Sequence, residues 1–168
     1  MPQTSDQLLA QLDALGIAST TVTHPPLRTV EDSKRLRGDL PGGHVKNLFL
    51  RDKHNRFWLL VTLEDQHVNL KAVAKHLGAG RFSFANEQQL DQHLGIAPGA
   101  VSPFAAINDS AGAVTVVIDD ALLQVDPVNL HPLRNDRTTA IAPRDLLRFL
   151  ESCGHAPRVV ALGDIADG

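Results

Sequence analysis

Cysteine is nearly absent from this chain, with Cys153 the only one in 168 residues. A lone thiol excludes an internal disulfide and any metal centre built from several cysteines. No apolar run reaches the ~20 residues that a membrane-crossing helix needs. The opening Met-Pro-Gln-Thr-Ser-Asp lacks the basic and apolar regions of a secretory signal, so the expected address is the cytoplasm. An excess of positive charge is missing as well. The formal net charge of −3 argues against wrapping a duplex, and neither DNA nor a membrane is an expected partner. It leaves room for a local basic site holding a few phosphates at a strand end. Lys34, Arg35 and Arg37, then Lys46, Arg51, Lys53 and Arg56, then Lys71, Lys75 and Arg81 are the local clusters. For each, the plain alternative is a solvated face.

Several catalytic signatures are missing too. No HExxH or related spacing joins the eight histidines, so no metal site is expected. Ser102 is not in a GxSxG elbow and has no visible base, which argues against it as a nucleophile. Cys153, at a helix end, reads as a packing residue. Gly42-Gly43-His44-Val45-Lys46 suggests anion binding, but the phosphate-loop pattern GxxxxGK[ST] is not met.

What is present is an ordinary globular composition, 43% hydrophobic and 21% charged, in a length that suits one domain over residues 1–168. Thr4-x-x-Gln7 is a capping box for a helix carrying Leu8, Leu9, Leu12 and Leu15, with Gly16 behind it. Ser19–His24 alternates as a strand stopped by Pro25-Pro26, and Thr29–Leu36 reads as a short charged helix closed by Gly38. Val45–Leu50 and Phe57–Leu63 form a hairpin across Asp52–Arg56. Asn69 and Asn86 cap helices that end at Gly78 and Gly95, and Phe82 and Phe84 mark a brief strand between them. Phe104–Ile107 and Val114–Ile118 read as a second hairpin. Asp119–Leu123 gives one helical turn, followed by an extended stretch at Val125 and Val128. Thr138–Ile141 is a strand, Pro143 opens a helix closed by Gly154, and Val159–Leu162 is a last strand. Helices interleaved with hairpin-linked strands make an α+β fold whose sheet is mixed and largely antiparallel.

Three segments carry chemistry. The first is Gly95-Ile-Ala-Pro-Gly99-Ala-Val-Ser-Pro103-Phe-Ala-Ala-Ile-Asn-Asp109. Its two glycines and two prolines in nine residues make a stiff turn, neither helix nor central strand, that presents bare peptide groups to something small. In the second, Lys46 stands among apolar strand residues, either on a solvent face or as a clamp for phosphate or carboxylate. In the third, His131 sits in a rigid His-Pro context before Asn135, Thr138 and Thr139. It is either a turn residue or a group that orients water or a substrate hydroxyl. His24, His54, His76 and His93 carry less information, and His44, His67 and His155 read as loop residues.

Taken in order, Lys46-Asn47 before a strand, Gly99-x-x-x-Pro103, and His131-Pro with downstream Asn135 and Thr138 resemble the YbaK-like aminoacyl-tRNA editing family. Within it, they are most like free-standing Ala-tRNA(Pro) deacylases. The resemblance runs over essentially the whole chain. It implies an α+β fold around a mixed, partly barrel-like sheet flanked by helices. It also implies hydrolysis of the ester joining alanine to tRNA(Pro), without a metal or organic cofactor. The implied partners are the acceptor end of tRNA(Pro) and, as a possible source of affinity, prolyl-tRNA synthetase. Lys46, Gly99 and His131 would be the catalytic set, with Asn47, Ala100, Val101, Ser102, Pro103, Asn135 and Thr138 contacting substrate. A related deacylase for cysteinyl, seryl or threonyl esters and a silent binding module are the competing readings.

Overall fold

A computed structural model describes residues 2–26, 31–32, 35 and 40–165. The expected helix Thr29–Leu36 therefore lies largely outside the described residues. Helix α1 (Ser5–Ala14) has its capping box intact: Gln7 N–H donates to Thr4 Oγ1 and Thr4 N–H to Gln7 Oε1. Its Leu8 and Leu12 are fully buried. Strand β1 (Ser19–Thr23) follows, then β2 (Gly43–Asp52) and β3 (Phe57–Leu63) as a hairpin. Helix α2 (Leu70–Leu77), strand β4 (Phe82–Phe84) and helix α3 (Glu87–Leu94) come next, the helices capped by Asn69 and Asn86 and ended by left-handed Gly78 and Gly95. Strands β5 (Val114–Asp119), β6 (Val128–Leu130) and β7 (Arg137–Ile141), helix α4 (Pro143–Ser152) and strand β8 (Arg158–Val160) complete the order.

The strands line up as β1-β7-β6-β2-β3-β5-β8, with β4 also on β2. Four pairings are antiparallel and three parallel, so the sheet is mixed, and the path from β1 to β8 does not close into a barrel. Six of the seven β3 residues are buried. Its apolar run does not alternate because both faces are covered. Phe57, Leu59 and Val61 face the main core with α1 and α4, while Trp58 and Leu60 face a second core under α2.

The structure corrects the second hairpin. Phe104–Ile107 is not a strand but lies inside a 3₁₀ helix, Pro103–Asn108, and Pro98–Ala100 forms another such turn. Pro103 has no N–H for a ladder, and Ser102 Oγ accepts from Phe104 N–H at 3.0 Å to cap the turn. Pro103 through Ala106 are buried consecutively, which a strand's alternation cannot achieve. Phe104 instead meets Phe149 of α4 edge-on at 5.5 Å. His44, expected in a loop, lies in β2. The last strand stops at Val160, and Leu162 belongs to a 3₁₀ turn.

Asp52 holds the β2–β3 turn. Its buried carboxylate accepts from the N–H groups of His54, Arg56 and Gly80, from Arg56 Nε and from Trp58 Nε1. Burial pushes its pKa up, but these donors outweigh that and set it at about 2. A depressed pKa stabilises the fold above the unfolded value and loses that contribution as pH falls towards 2. Asp52→Ala should cost about 1–3 kcal/mol by orphaning buried donors. In urea unfolding, the gap between variant and wild type should shrink between pH 4 and pH 2.

Candidate active site

The site begins with a parting of strands. Strand β6 pairs with β2 in parallel only at Gly43–Val128 and His44–Asn129. Strand β4 takes up the same edge of β2 again at Leu50, just after Ala85 N–H has bonded Phe49 O. Between these contacts no described strand lies along this edge of β2, the edge opposite β3. Pairs such as His44–Glu64 and Asp52–Arg56 aim the even-numbered peptide groups at β3, so the peptide group of Asn47 faces the open edge.

Gly42, just before β2, and Gly43, its first residue, allow a close approach to the Val125–Pro127 segment. A Cβ on Gly42 would lie 2.2 Å from Pro127 O, and one on Gly43 would lie 2.6 Å from Val125 Cγ2. Asn129 fastens this turn by donating from Nδ2 to Pro41 O and Gly43 O. It thereby fixes the start of β2 and the exit of β6 relative to each other.

Lys46 and Asn47 project to opposite faces of β2. Lys46 is half-buried opposite Thr62, whose hydroxyl already donates to buried Asp119. Lys46 itself forms no ion pair among the described residues. Among the described residues Asn47 Oδ1 is buried without a hydrogen-bond partner, a state that costs about 1–3 kcal/mol until a donor arrives.

His131 leaves the sheet at the end of β6, beside the opening. Arg137 O lies 2.9 Å from its Nδ1. A carbonyl only accepts, so Nδ1 carries the proton and Nε2 of the neutral ring is left with a lone pair. Burial lowers its pKa below the usual histidine range; the bond to Arg137 opposes this and the neighbouring His24 reinforces it. The His24 ring lies 6.3 Å away and is held at both ends, by Pro25 O and by Thr138 Oγ1, each at 2.8 Å. Sequence reasoning passed over His24; its only signal was the His-Pro-Pro stop after a strand.

Gly99 is exposed and abuts Asn135, since a Cβ there would come 3.1 Å from Asn135 Nδ2. Val101 is partly exposed, whereas Ala100, Ser102 and Pro103 are buried. The structure therefore brings Gly99, Asn135, His131 and Thr138 together through one loop, with Lys46 and Asn47 on the neighbouring strand. The Ser102 and Thr138 hydroxyls are already engaged, and Thr139 bonds Thr21 at 2.8 Å. Cys153 packs against the main core, and burial pushes its thiol pKa up, away from nucleophilic thiolate. On the Lys46 face of the sheet, Leu70, Lys71, Ala74, Lys75, Arg81 and Phe82 line a basic groove of about 690 Å³.

Comparisons with known proteins identify the family. The aminoacyl-tRNA editing domain matches residues 24–149. The prolyl-tRNA editing protein ProX of Acetoanaerobium sticklandii is 35% identical over 92% of this chain and 95% of its own. The multifunctional Ser/Thr-tRNA deacylase ProXp-y of Escherichia coli K12 is 30% identical over 88% of this chain and 89% of its own. A solved structure of a candidate trans-editing enzyme for prolyl tRNA synthetase superposes with a TM-score of 0.72, covering 100% of both chains at 19% identity. The chain belongs to the aminoacyl-tRNA editing family.

Proposed function

We propose that this aminoacyl-tRNA deacylase hydrolyses the ester of Ala-tRNA(Pro), releasing alanine and tRNA(Pro). The observation that carries the choice of alanine is the state of the hydroxyls. Ser102 is fully buried with its Oγ accepting from Phe104 N–H, and the Thr138 and Thr139 hydroxyls bond His24 and Thr21, leaving the loop to offer mainly apolar contact to a methyl group. A synthetase site sized for proline rejects the smaller alanine by only about 1–3 kcal/mol per missing methylene. A separate hydrolytic site then has work to do.

In this reading Lys46 clamps the terminal adenosine phosphate by a charge-assisted bond. Main-chain groups of the Gly99–Pro103 loop contact the aminoacyl group, and Asn135 backs Gly99. The lone pair on His131 Nε2 orients the water that attacks the ester carbonyl. Asn47 Oδ1 receives the α-ammonium, which supplies the donor that the oxygen lacks. The same oxygen could accept from a seryl or threonyl hydroxyl, which is the observation favouring the second reading, a Ser/Thr deacylase like ProXp-y. Contact with prolyl-tRNA synthetase would add affinity for the charged tRNA before it departs.

The deciding experiment is a deacylation panel of tRNA(Pro) carrying Ala, Cys, Ser, Thr or Pro. Alanine should be released fastest; a faster seryl or threonyl ester would transfer the assignment to the second reading, and no cleavage of any ester would leave a binding module. Among the described residues no three His, Cys, Asp or Glu side chains converge as metal ligands. Activity is accordingly expected to survive prolonged dialysis against a chelator, and loss restored by zinc would refute that expectation.

A further inference from the structure

The chain has six phenylalanines, one tryptophan and no tyrosine. Five of these rings (Phe49, Phe57, Trp58, Phe104 and Phe149) are buried. Phe82 is half-buried and lies edge-on against Trp58 at 5.9 Å. Phe84 alone stands out, 66% exposed. A fold with so few aromatics gains nothing by leaving one in water.

Its position follows from the register. Phe84 pairs with Leu50, and Phe82 with Asp52. Directly paired residues share a face, and β2 alternates, so Phe84 lies on the same face as Leu48 and Lys46. Strand β4 runs antiparallel to β2. The chain order therefore sets the basic groove at the Asp52 end, then Phe84, then the open edge with Lys46. Four residues of strand separate the Phe84 position from Lys46, about 13 Å at 3.3 Å per residue. That distance spans roughly four stacking steps of about 3.4 Å each.

We infer that Phe84 is a stacking platform for an unpaired nucleobase in the single-stranded RNA segment that leads to the ester at Lys46. The inference rests on the deacylase reading of the Lys46 site. Lys71, Lys75 and Arg81 supply phosphate contacts at one end of the track, while the exposed ring supplies the sequence-tolerant face that holds a single strand. A protein partner fits less well. Val159, on β8 at the far edge of the sheet, is the only other large hydrophobic side chain exposed among the described residues, so no broad apolar patch surrounds Phe84.

The test uses an RNA hairpin with a single-stranded 3′ end, uncharged for binding and alanyl-charged for cleavage. Phe84→Ala should weaken binding of the uncharged hairpin by about fivefold to a hundredfold and raise KM to match, with kcat within twofold. Phe84→Trp should bind like wild type, whereas Phe84→Leu should not recover affinity. Replacing the unpaired bases one at a time with abasic sites should identify one position that reproduces the loss in wild type and adds nothing in Phe84→Ala. Wild-type binding by Phe84→Ala, or a loss confined to kcat, would overturn the inference. If the charged hairpin is not cleaved by wild type at all, the deacylase reading fails, while the binding measurements still decide the role of Phe84.

Discussion

Lys46→Ala should reduce hydrolysis of Ala-tRNA(Pro) by at least a hundredfold while leaving the protein folded. The two halves of that expectation rest on different features of β2. Lys46 is half-buried among strand residues yet forms no ion pair among the described residues, so no buried carboxylate is orphaned when it is removed. Its cross-strand neighbour Thr62 satisfies Asp119 independently. Stability should therefore move by about 0.5 kcal/mol or less, the usual range for such positions. Activity is different, because a charge-assisted bond is worth about twice a neutral one and also fixes the ester relative to the attacking water. Misplacement by about 1 Å can itself cost a hundredfold. Lys46→Arg should recover part of the activity, since it keeps the charge but changes its reach and shape. Single-turnover cleavage alongside thermal melting checks both halves. Wild-type turnover by a folded Lys46→Ala protein would remove the lysine from the mechanism.

The sequence was legible wherever structure is local. Capping at Thr4, Asn69 and Asn86, the left-handed glycines after two helices, and the β2–β3 hairpin all depend on residues close in the chain. The error at Phe104–Ile107 also has a local form but a distant cause. An apolar run after a proline suits a strand or a buried 3₁₀ turn equally, and packing against Phe149 decides between them. The opening beside Lys46 could not be read at all, because it exists only where β6 returns from residue 128 to lie parallel to β2 for two residues and then diverges. The His24–Thr138 contact has the same origin: the β1–β7 register joins segments more than a hundred residues apart. The candidate residues could thus be picked out one by one, but their mutual geometry depended on strand order.

The unmodified protein should cleave Ala-tRNA(Pro) at least a hundredfold faster than Pro-tRNA(Pro). The basis is a wall that cannot retreat. Ala100, Ser102 and Pro103 are buried, Ser102 caps the following turn, and Phe104 behind them is wholly enclosed against Phe149. On the outer side a Cβ at position 99 would come 3.1 Å from Asn135 Nδ2, so Asn135 leaves little room there for more than glycine. Pro98 and Pro103 restrict their own φ angles and the residues before them, so the loop has few alternative conformations. Forcing extra methylenes into packed surroundings costs on the order of 1–3 kcal/mol each. The prolyl ring brings two more carbons than the alanyl methyl, and about 3 kcal/mol in the barrier corresponds to more than a hundredfold in rate. Pro103→Ala relaxes the wall without removing a hydrogen bond, so it should slow alanyl cleavage and narrow the gap between the two esters. Initial rates on the same tRNA charged with either amino acid, corrected for spontaneous hydrolysis, measure this directly. Comparable rates for the unmodified protein would rule out discrimination by size, and the search for its substrate would turn to esters larger than alanine.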